Sequence, residues 1–397
     1  MSRFRFASAI SLNVELDQAI VEVATSIAAR LGGADPDWVC LYPTAHYGAW
    51  ADRMPELAKA AFGDALLFGC AAGGVIGGGR EVEQRPALAA MAASVPGVAI
   101  EAFHLDAATL LQSDERVHQR IGVSPSERPL LVLLADPFTA DTRELTARLD
   151  ELYPESVVIG GLASGSNARQ PNRLFLGDRV YRTGTIGLAL HGNLVVDTII
   201  AQGCRPIGSP MFVTRSRDNV ILELDGVPAT DALETLFQTL SREDQELVQS
   251  SLFLGLVMKI DQQVYGQGDF LIRNIVGLDS AASAIAVAAM LEPNQVVQFH
   301  LRDKETSADD LRLWLARWRD ENPGAAPSGA LMFSCLGRGT YLYGESGFET
   351  RLIHELFADL PIVGFFCNGE IGQVGGSTYL HGYTSALALL RPRSAHD

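Results

Sequence analysis

One feature constrains this 397-residue chain more than any other: it repeats itself. The stretch Val98-Ala-Ile-Glu-Ala-Phe-His104-Leu-Asp106, an apolar run closing on Phe-His-Leu and an acid, has a counterpart in Val296-Val-Gln-Phe-His300-Leu-Arg-Asp303. Five more pairs keep the same order. Leu130–Asp136 answers Ala330–Cys335, Val157–Gly161 answers Ile362–Phe366, and Ile186–Leu190 answers Ser385–Leu389. Upstream, Trp38–Tyr42 pairs with Ser251–Gly255 and Ala65–Phe68 with Phe270–Arg273. Helical patterns lie between the runs: Leu311, Trp314, Leu315 and Trp318 recur at i, i+3, i+4 and i+7, behind a capping-box-like Ser307 and Asp310. Pro154 and Pro361 stop the helices that precede the later strands, because proline cannot continue a helix interior. Such ordered self-similarity is the mark of a duplicated unit.

Apolar strands alternating with helices predict an α/β fold: two related α/β domains from an internal duplication, with largely covered and largely parallel sheets. A β-hairpin of Met211–Thr214 and Val220–Gly226, with a helix over Ala229–Leu240, falls outside the repeat and is expected to link the halves. The division read from this is an N-terminal lead-in over 1–35, a first domain over 36–228, a second over 229–390 and a tail over 391–397.

The charge balance narrows the partners. A net charge of −16, with ammonium groups only at Lys59, Lys259 and Lys304, repels nucleic-acid phosphates and anionic lipid headgroups. Neither nucleic acid nor a membrane surface is expected as a partner. The longest aliphatic stretch, Ala281–Leu291, is too short to span a bilayer, and the N-terminus leads into no apolar leader segment. Five widely spaced cysteines, an odd number, suit reduced thiols, so the chain is expected to be cytoplasmic.

Sheets of this kind place ligands at the carboxyl ends of their strands. The Gly69–Gly79 run reads either as an anion cradle or as a tightly packed turn; it has neither a Gly-Lys-Ser/Thr nor a G-x-G-x-x-G register. Arg302-Asp303 offers a planar fork for a carboxylate and an acceptor for an ammonium, which together would grip an amino acid; the alternative is an ion pair joining two elements. Arg273, Asn274, Arg338, Asn368 and Glu370 are read as strand-end residues of the same kind. His381, ahead of the Gly382-Tyr-Thr384 turn, reads as a haem axial ligand, a proton-sensing group, a donor to a ligand, or a structural histidine. His104 and His300 occupy matching repeat positions, which favours a structural role; His354 falls in a helix and His396 in the tail. Cys70, Cys335 and Cys367 sit at strand ends where turns could converge, but without the C-x-x-C spacing of a zinc ribbon. Neither a G-x-S-x-G elbow nor an H-E-x-x-H helix is present, so an enzyme is not expected, although a positioned Glu370 retains acid–base capacity.

The motif set as a whole resembles the FIST family of prokaryotic sensory proteins, across its N-terminal and C-terminal domains, from about Asp37 to Leu389. The stretches that carry the resemblance are Gly69-Cys-Ala-Ala-Gly-Gly-Val-Ile-Gly77, Val158–Ser164 and Gln202-Gly-Cys-Arg-Pro-Ile-Gly208 in the first half. In the second they are Phe299–Asp303, Phe333–Gly339, Gly364–Gly372 and His381–Thr384, with Gln373-Val374 departing where a proline is expected. The resemblance implies a sensory protein that binds a small ligand, an amino acid or related metabolite; no cofactor is predicted, with haem the one alternative. It implies a separate signalling partner such as a histidine kinase or a cyclic-dinucleotide enzyme, since no kinase or transmitter segment is read in this chain. Some relatives bind haem and sense nitric oxide, which makes His381 the candidate axial ligand in that alternative. An uncharacterised enzyme on the same scaffold is the second alternative.

Overall fold

The structure, a computed structural model, describes residues 3–166, 172–258, 265–266, 268–292 and 294–394; His396 of the tail lies outside the described residues. The chain forms two compact units, one of Met1–Ile200 with Trp314–Asp397, the other of Ala201–Leu313.

The first unit uses one pattern three times. In the first copy, β1 (Arg5–Ser11) leads through a helix (Leu16–Leu31) to β2 (Trp38–Pro43), a second helix (Met54–Phe62) and β3 (Leu66–Cys70). A hairpin of β4 (Gly74–Gly77) and β5 (Arg80–Glu83) follows, then β6 (Leu88–Ser94). The second copy has the same order. β7 (Val98–Leu105), a helix (Asp114–Ile121), β8 (Leu130–Ala135), a helix (Thr142–Leu152) and β9 (Val157–Leu162) precede a hairpin of β10 (Leu174–Leu176) and β11 (Arg179–Tyr181), and β12 (Thr185–Gly192) closes it. The third copy opens with β13 (Val195–Ala201) and is interrupted in the chain by the seven strands of the second unit. These are β14 (Arg205–Arg217), β15 (Val220–Leu224), β16 (Val227–Pro228), β17 (Leu252–Val257), β18 (Phe270–Asp279), β19 (Ala284–Val287) and β20 (Val296–Leu301). A helix (Lys304–Glu321) then leads to β21 (Gly329–Cys335), a helix (Phe348–Leu356) and β22 (Ile362–Cys367). The hairpin of β23 (Glu370–Val374) and β24 (Ser377–His381) and the final β25 (Ser385–Arg391) complete the copy.

Three six-stranded sheets result, in the orders β1-β6-β2-β3-β10-β11, β7-β12-β8-β9-β23-β24 and β13-β25-β21-β22-β4-β5. Each is finished by a hairpin from a different copy. Equivalence extends to single atoms. The Thr44 N–H donates to the Ala87 carbonyl at 2.9 Å, Asp136 to Gly184 at 2.9 Å and Cys335 to Thr384 at 3.0 Å. Gly69, Gly160 and Gly364 lie opposite Leu41, Leu133 and Met332 in the central parallel pairs. A Cβ at any of the three would collide with that partner's carbonyl oxygen, which is why glycine stands there.

The α/β class stands, and so does the internal repetition, but its copies differ from the expected two. Three matched pairs fall on equivalent strands: β8 with β21, β9 with β22 and β12 with β25. The other three do not. Trp38–Tyr42 and Ala65–Phe68 correspond to β8 and β9 rather than to residues 251–255 and 270–273, and Val98–Leu105 is an edge strand like β13 rather than like β20. Among the described residues only β2–β3, β8–β9 and β21–β22 pair in parallel, so the sheets are mixed rather than largely parallel. The physical reason is that a short apolar run is the same string whether its neighbour runs with it or against it. Coverage of the sheets did follow from composition: β8 and β22 are buried at every residue, as runs without alternation require. Ala19, Ile20, Val23 and Ile27 of the first helix pack on the first sheet, and Leu145 and Leu149 on the second.

The second unit is antiparallel throughout, in the order β14-β20-β17-β18-β19-β15-β16, and an additional β14–β15 pairing closes it on itself. The long β14 does this by changing partners along its length, with register shifts between Ile207 and Met211 and again beyond Val213. Its core holds Ile221, Leu254, Ile285 and Phe299. The hairpin and helix expected as a link belong to this unit. Among the described residues no helix is long and apolar enough to cross a membrane.

Candidate functional site

The sequence-predicted residues divide between the units. Arg302, Asp303, Arg273 and Asn274 belong to the second, and Arg338, Asn368, Glu370 and His381 to the first. Asp303 is committed locally. Its carboxylate accepts the Thr306 N–H at 2.6 Å and the Thr306 hydroxyl at 2.9 Å, capping the Lys304–Glu321 helix, and it also meets Arg205 at 3.4 Å. Arg302 is buried with its guanidinium over the Phe253 ring at 5.6 Å. No Arg302–Asp303 pair is formed, because the two side chains serve different elements. Ser307 and Asp310, read as a helix start, lie inside the helix; they hold the carbonyl and N–H of Gly203, at 2.9 and 2.7 Å, which accounts for the Gln202-Gly-Cys motif. Arg273 and Asn274 are mid-strand residues of β18 rather than strand-end ones. His300 is buried, donates its Nδ1–H to the Gln298 carbonyl at 3.0 Å, and has its pKa held down to about 4 by that burial; His104 instead stacks on Tyr181. The two histidines are not equivalent.

In the first unit the strand ends of all three copies interlock. Gly165 N–H donates to the Ala71 carbonyl at 3.0 Å, Asn368 N–H to Leu162 at 3.1 Å, and Leu162 N–H to Gly369 at 2.8 Å. Ser164 Oγ bonds the Phe366 carbonyl while accepting the Gly73 N–H at 2.9 Å. Asn368 is exposed, and its Nδ2 donates to the Ala163 carbonyl at 3.1 Å. Ser164 and Cys335 are half-buried beside it. The Gly69–Gly79 run proves to be the end of β3 and the β4–β5 hairpin, the tightly packed turn rather than an anion cradle.

Beneath this surface lies a charge network the sequence did not disclose. Arg338, fully buried, donates through Nε to Glu349 at 2.6 Å, through Nη1 to the Tyr383 carbonyl at 2.9 Å and through Nη2 to the Tyr343 hydroxyl at 2.7 Å. Ser334 Oγ donates to the other Glu349 oxygen at 2.7 Å. Glu370, also fully buried, accepts the Thr384 N–H at 3.1 Å; the Cys335 thiol faces its carboxyl group, and Oε1 finds no hydrogen-bond partner among the described residues. Burial holds Glu370 well above the ordinary carboxylate range. Glu81, from the borrowed hairpin, accepts the Thr350 N–H at 2.7 Å and is pushed up to about 7, first by burial and then by the charge of Glu349. Asn368 and Glu370 are therefore brought together at one strand end with Arg338 below. His381 pairs with Glu370 across the β23–β24 hairpin, and its Nε2 meets the Gly372 carbonyl at 3.1 Å, a bond that fixes the hairpin.

The cysteines do converge. Cys367 neighbours Cys70, Cys335 and Glu370, and Cys40 lies against Tyr42. Burial raises the Cys70 and Cys367 thiols well above their usual range and Cys40 to about 12, so these three are protonated, apolar-like groups. Among the described residues no set of three or more His, Cys, Asp or Glu side chains is arranged to hold a metal ion. The site can bind hydrogen-bonding groups at its surface and hold a proton at Glu370. Glu81 and Glu349 escaped the sequence reading because each stands in an ordinary amphipathic segment, hundreds of residues from the other.

The Glu81 geometry has a pH consequence. A carboxyl group whose value is raised on folding keeps its proton to higher pH in the folded chain than in the unfolded one. Stability is then full below about 4.5 and declines as pH rises through about 7. Urea midpoints measured across pH 4.5 to 7 should fall for the wild type, by up to the order of 3 kcal/mol in stability. Glu81→Gln should flatten that decline; an unchanged slope would show that Glu81 does not titrate in this window.

Comparison with known proteins places the chain. The FIST N domain model matches residues 37–227 and the FIST C domain model residues 231–373. An uncharacterized protein of Mycobacterium tuberculosis (strain H37Rv) is 34% identical over 385 residues, covering 97% of this chain and 99% of its own. An uncharacterized protein of Mycobacterium bovis is 35% identical over 373 residues, covering 94% and 95%. Among solved structures, the cyanuric acid hydrolase from A. caulinodans aligns over 98% of this chain and 100% of its own, with 8% identity and a TM-score of 0.37, a likeness too slight to bear on activity. The chain belongs to the FIST family and carries both of its domains, N and C, in one polypeptide.

Proposed function

We propose that the protein senses a small metabolite bearing amine or other hydrogen-bond-donating groups, amino acids included, at the strand-end surface of the first unit. FIST domains are sensory domains for small ligands in signal transduction. The observation that carries the finer reading is the composition of the strand ends: exposed Asn368 and half-buried Ser164 and Cys335 lie over a buried layer in which Arg338 pairs with Glu349 and Glu370 holds its proton. Asn368 commits its Nδ2 to the Ala163 carbonyl and keeps Oδ1 as an acceptor, which favours a donor-bearing ligand over an anionic one. The bound state is read by a separate partner, a histidine kinase or a cyclic-dinucleotide enzyme being the class expected.

The test is a thermal-shift screen of amino acids and simple amines. A ligand present at about 100 times its Kd stabilises the fold by about 2.7 kcal/mol, an easily visible shift. Asn368→Ala should remove the shift and Arg302→Ala should leave it; the reverse result moves the site to the second unit. A Soret band in the absorption spectrum of the purified protein would replace this reading with the haem-sensing one.

A further inference from the structure

We infer a second ligand site in the first unit, an arginine-lined groove that takes a phosphate-bearing small molecule. At the amino ends of β21 and β22, away from the strand-end surface, lies a cavity of about 840 Å³ whose wall includes Arg3, Arg5, Arg30 and Arg319 with Asp359 as its single carboxylate. That ratio reverses the chain's own, which has 47 acidic against 31 basic residues. Arg3, Arg5 and Arg30 have no carboxylate within ion-pairing distance among the described residues, while Arg319 meets only its exposed neighbour Asp320. Arg5 lends Nη1 to the Leu31 and Gly32 carbonyls at 2.8 and 3.1 Å, and Arg30 lends Nη1 to Ser8 at 2.8 Å, which fixes both guanidinium groups in place without neutralising them.

A second, uncharged observation points the same way. Trp318 lines the same groove, and its buried indole Nε1 makes no hydrogen bond among the described residues. Buried donors are almost always satisfied, so an unmatched one in a residue that lines a cavity is unusual. Four arginines line the groove and give it a wall of donors. The chemistry that answers it is a multiply charged oxyanion rich in acceptors, and the planar forks of arginine fit phosphate in particular. The volume admits more than a single phosphate, so a di- or triphosphate, free or as part of a nucleotide, is the class assigned.

Calorimetric titration with inorganic phosphate, pyrophosphate, ATP and adenosine tests this on the full chain. Pyrophosphate and ATP are expected to bind, adenosine not at all, and affinity is expected to fall steeply as salt rises. Arg3→Gln with Arg30→Gln, both exposed side chains, should weaken pyrophosphate about tenfold or more. Arg179→Gln, equally exposed but outside the groove, should leave it unchanged. If pyrophosphate binds but ATP does not, the site takes the free anion; if ATP binds far better, it takes the nucleotide. Adenosine binding as well as ATP, the same loss from Arg179→Gln, or binding of none of the four overturns the proposal. Circular dichroism of each variant separates lost binding from lost fold.

Discussion

Gly364→Ala is expected to unfold the first unit or to cost it about 4 kcal/mol or more. Gly364 faces Met332 in the parallel pair at the centre of the third sheet, and an added methyl would lie against that carbonyl oxygen far inside the 3.0 Å that real Cβ atoms keep. The obstacle is backbone, which has no rotamer by which to withdraw, and the pair sits between buried strands on both sides. Gly382 provides the control: a Cβ there meets nothing within 4 Å, so Gly382→Ala should stay within about 0.5 kcal/mol of wild type. Urea unfolding of the two variants checks the pair. A Gly364→Ala protein as stable as Gly382→Ala would mean that β21 and β22 do not pair in this register.

Arg338→Met should be nearly as damaging, at about 3–5 kcal/mol, because it leaves the Glu349 carboxylate buried without its cation. The loss belongs to the orphaned charge rather than to the missing contact. Arg338→Met combined with Glu349→Met should therefore recover much of it, since replacing both members of a buried pair by apolar groups is close to neutral. A double-mutant cycle in urea reads the coupling directly. Additive losses would show that the two side chains act independently and that the network beneath the strand ends is held by something else.

The sequence made the class of fold legible because burial leaves a record: strands covered on both faces read as uninterrupted apolar runs, and Leu130–Ala135 and Ile362–Cys367 could scarcely be anything else. It made repetition legible as well, but not its count. Gly69, Gly160 and Gly364 are the residues that define the register of the three copies, and a single glycine in an apolar string carries no label that says so. The Phe-His-Leu match misled for the opposite reason. His300 is buried in an antiparallel pair and His104 lies half-exposed on an edge, so similar strings answered different environments. At the site, Asn368 and Glu370 could be picked out since both follow closely on the apolar run Ile362–Cys367, Asn368 in the turn and Glu370 at the start of β23. Glu81 and Glu349 could not, because what makes them unusual is a neighbour supplied from the far end of the chain.

The loan of hairpins between copies also sets a timetable. Gly77 of β4 pairs with Val363 of β22, so the first hairpin is synthesised long before the strand that receives it. At about 5–20 residues per second, its partner emerges roughly 15–60 s later. The third copy therefore completes the unit, and until it leaves the ribosome β4 lacks β22 and β9 lacks β23. A nascent chain of this kind spends most of its synthesis with its first hairpin unpaired on one side, and it is in that interval, rather than in the finished molecule, that it depends most on protection from its neighbours.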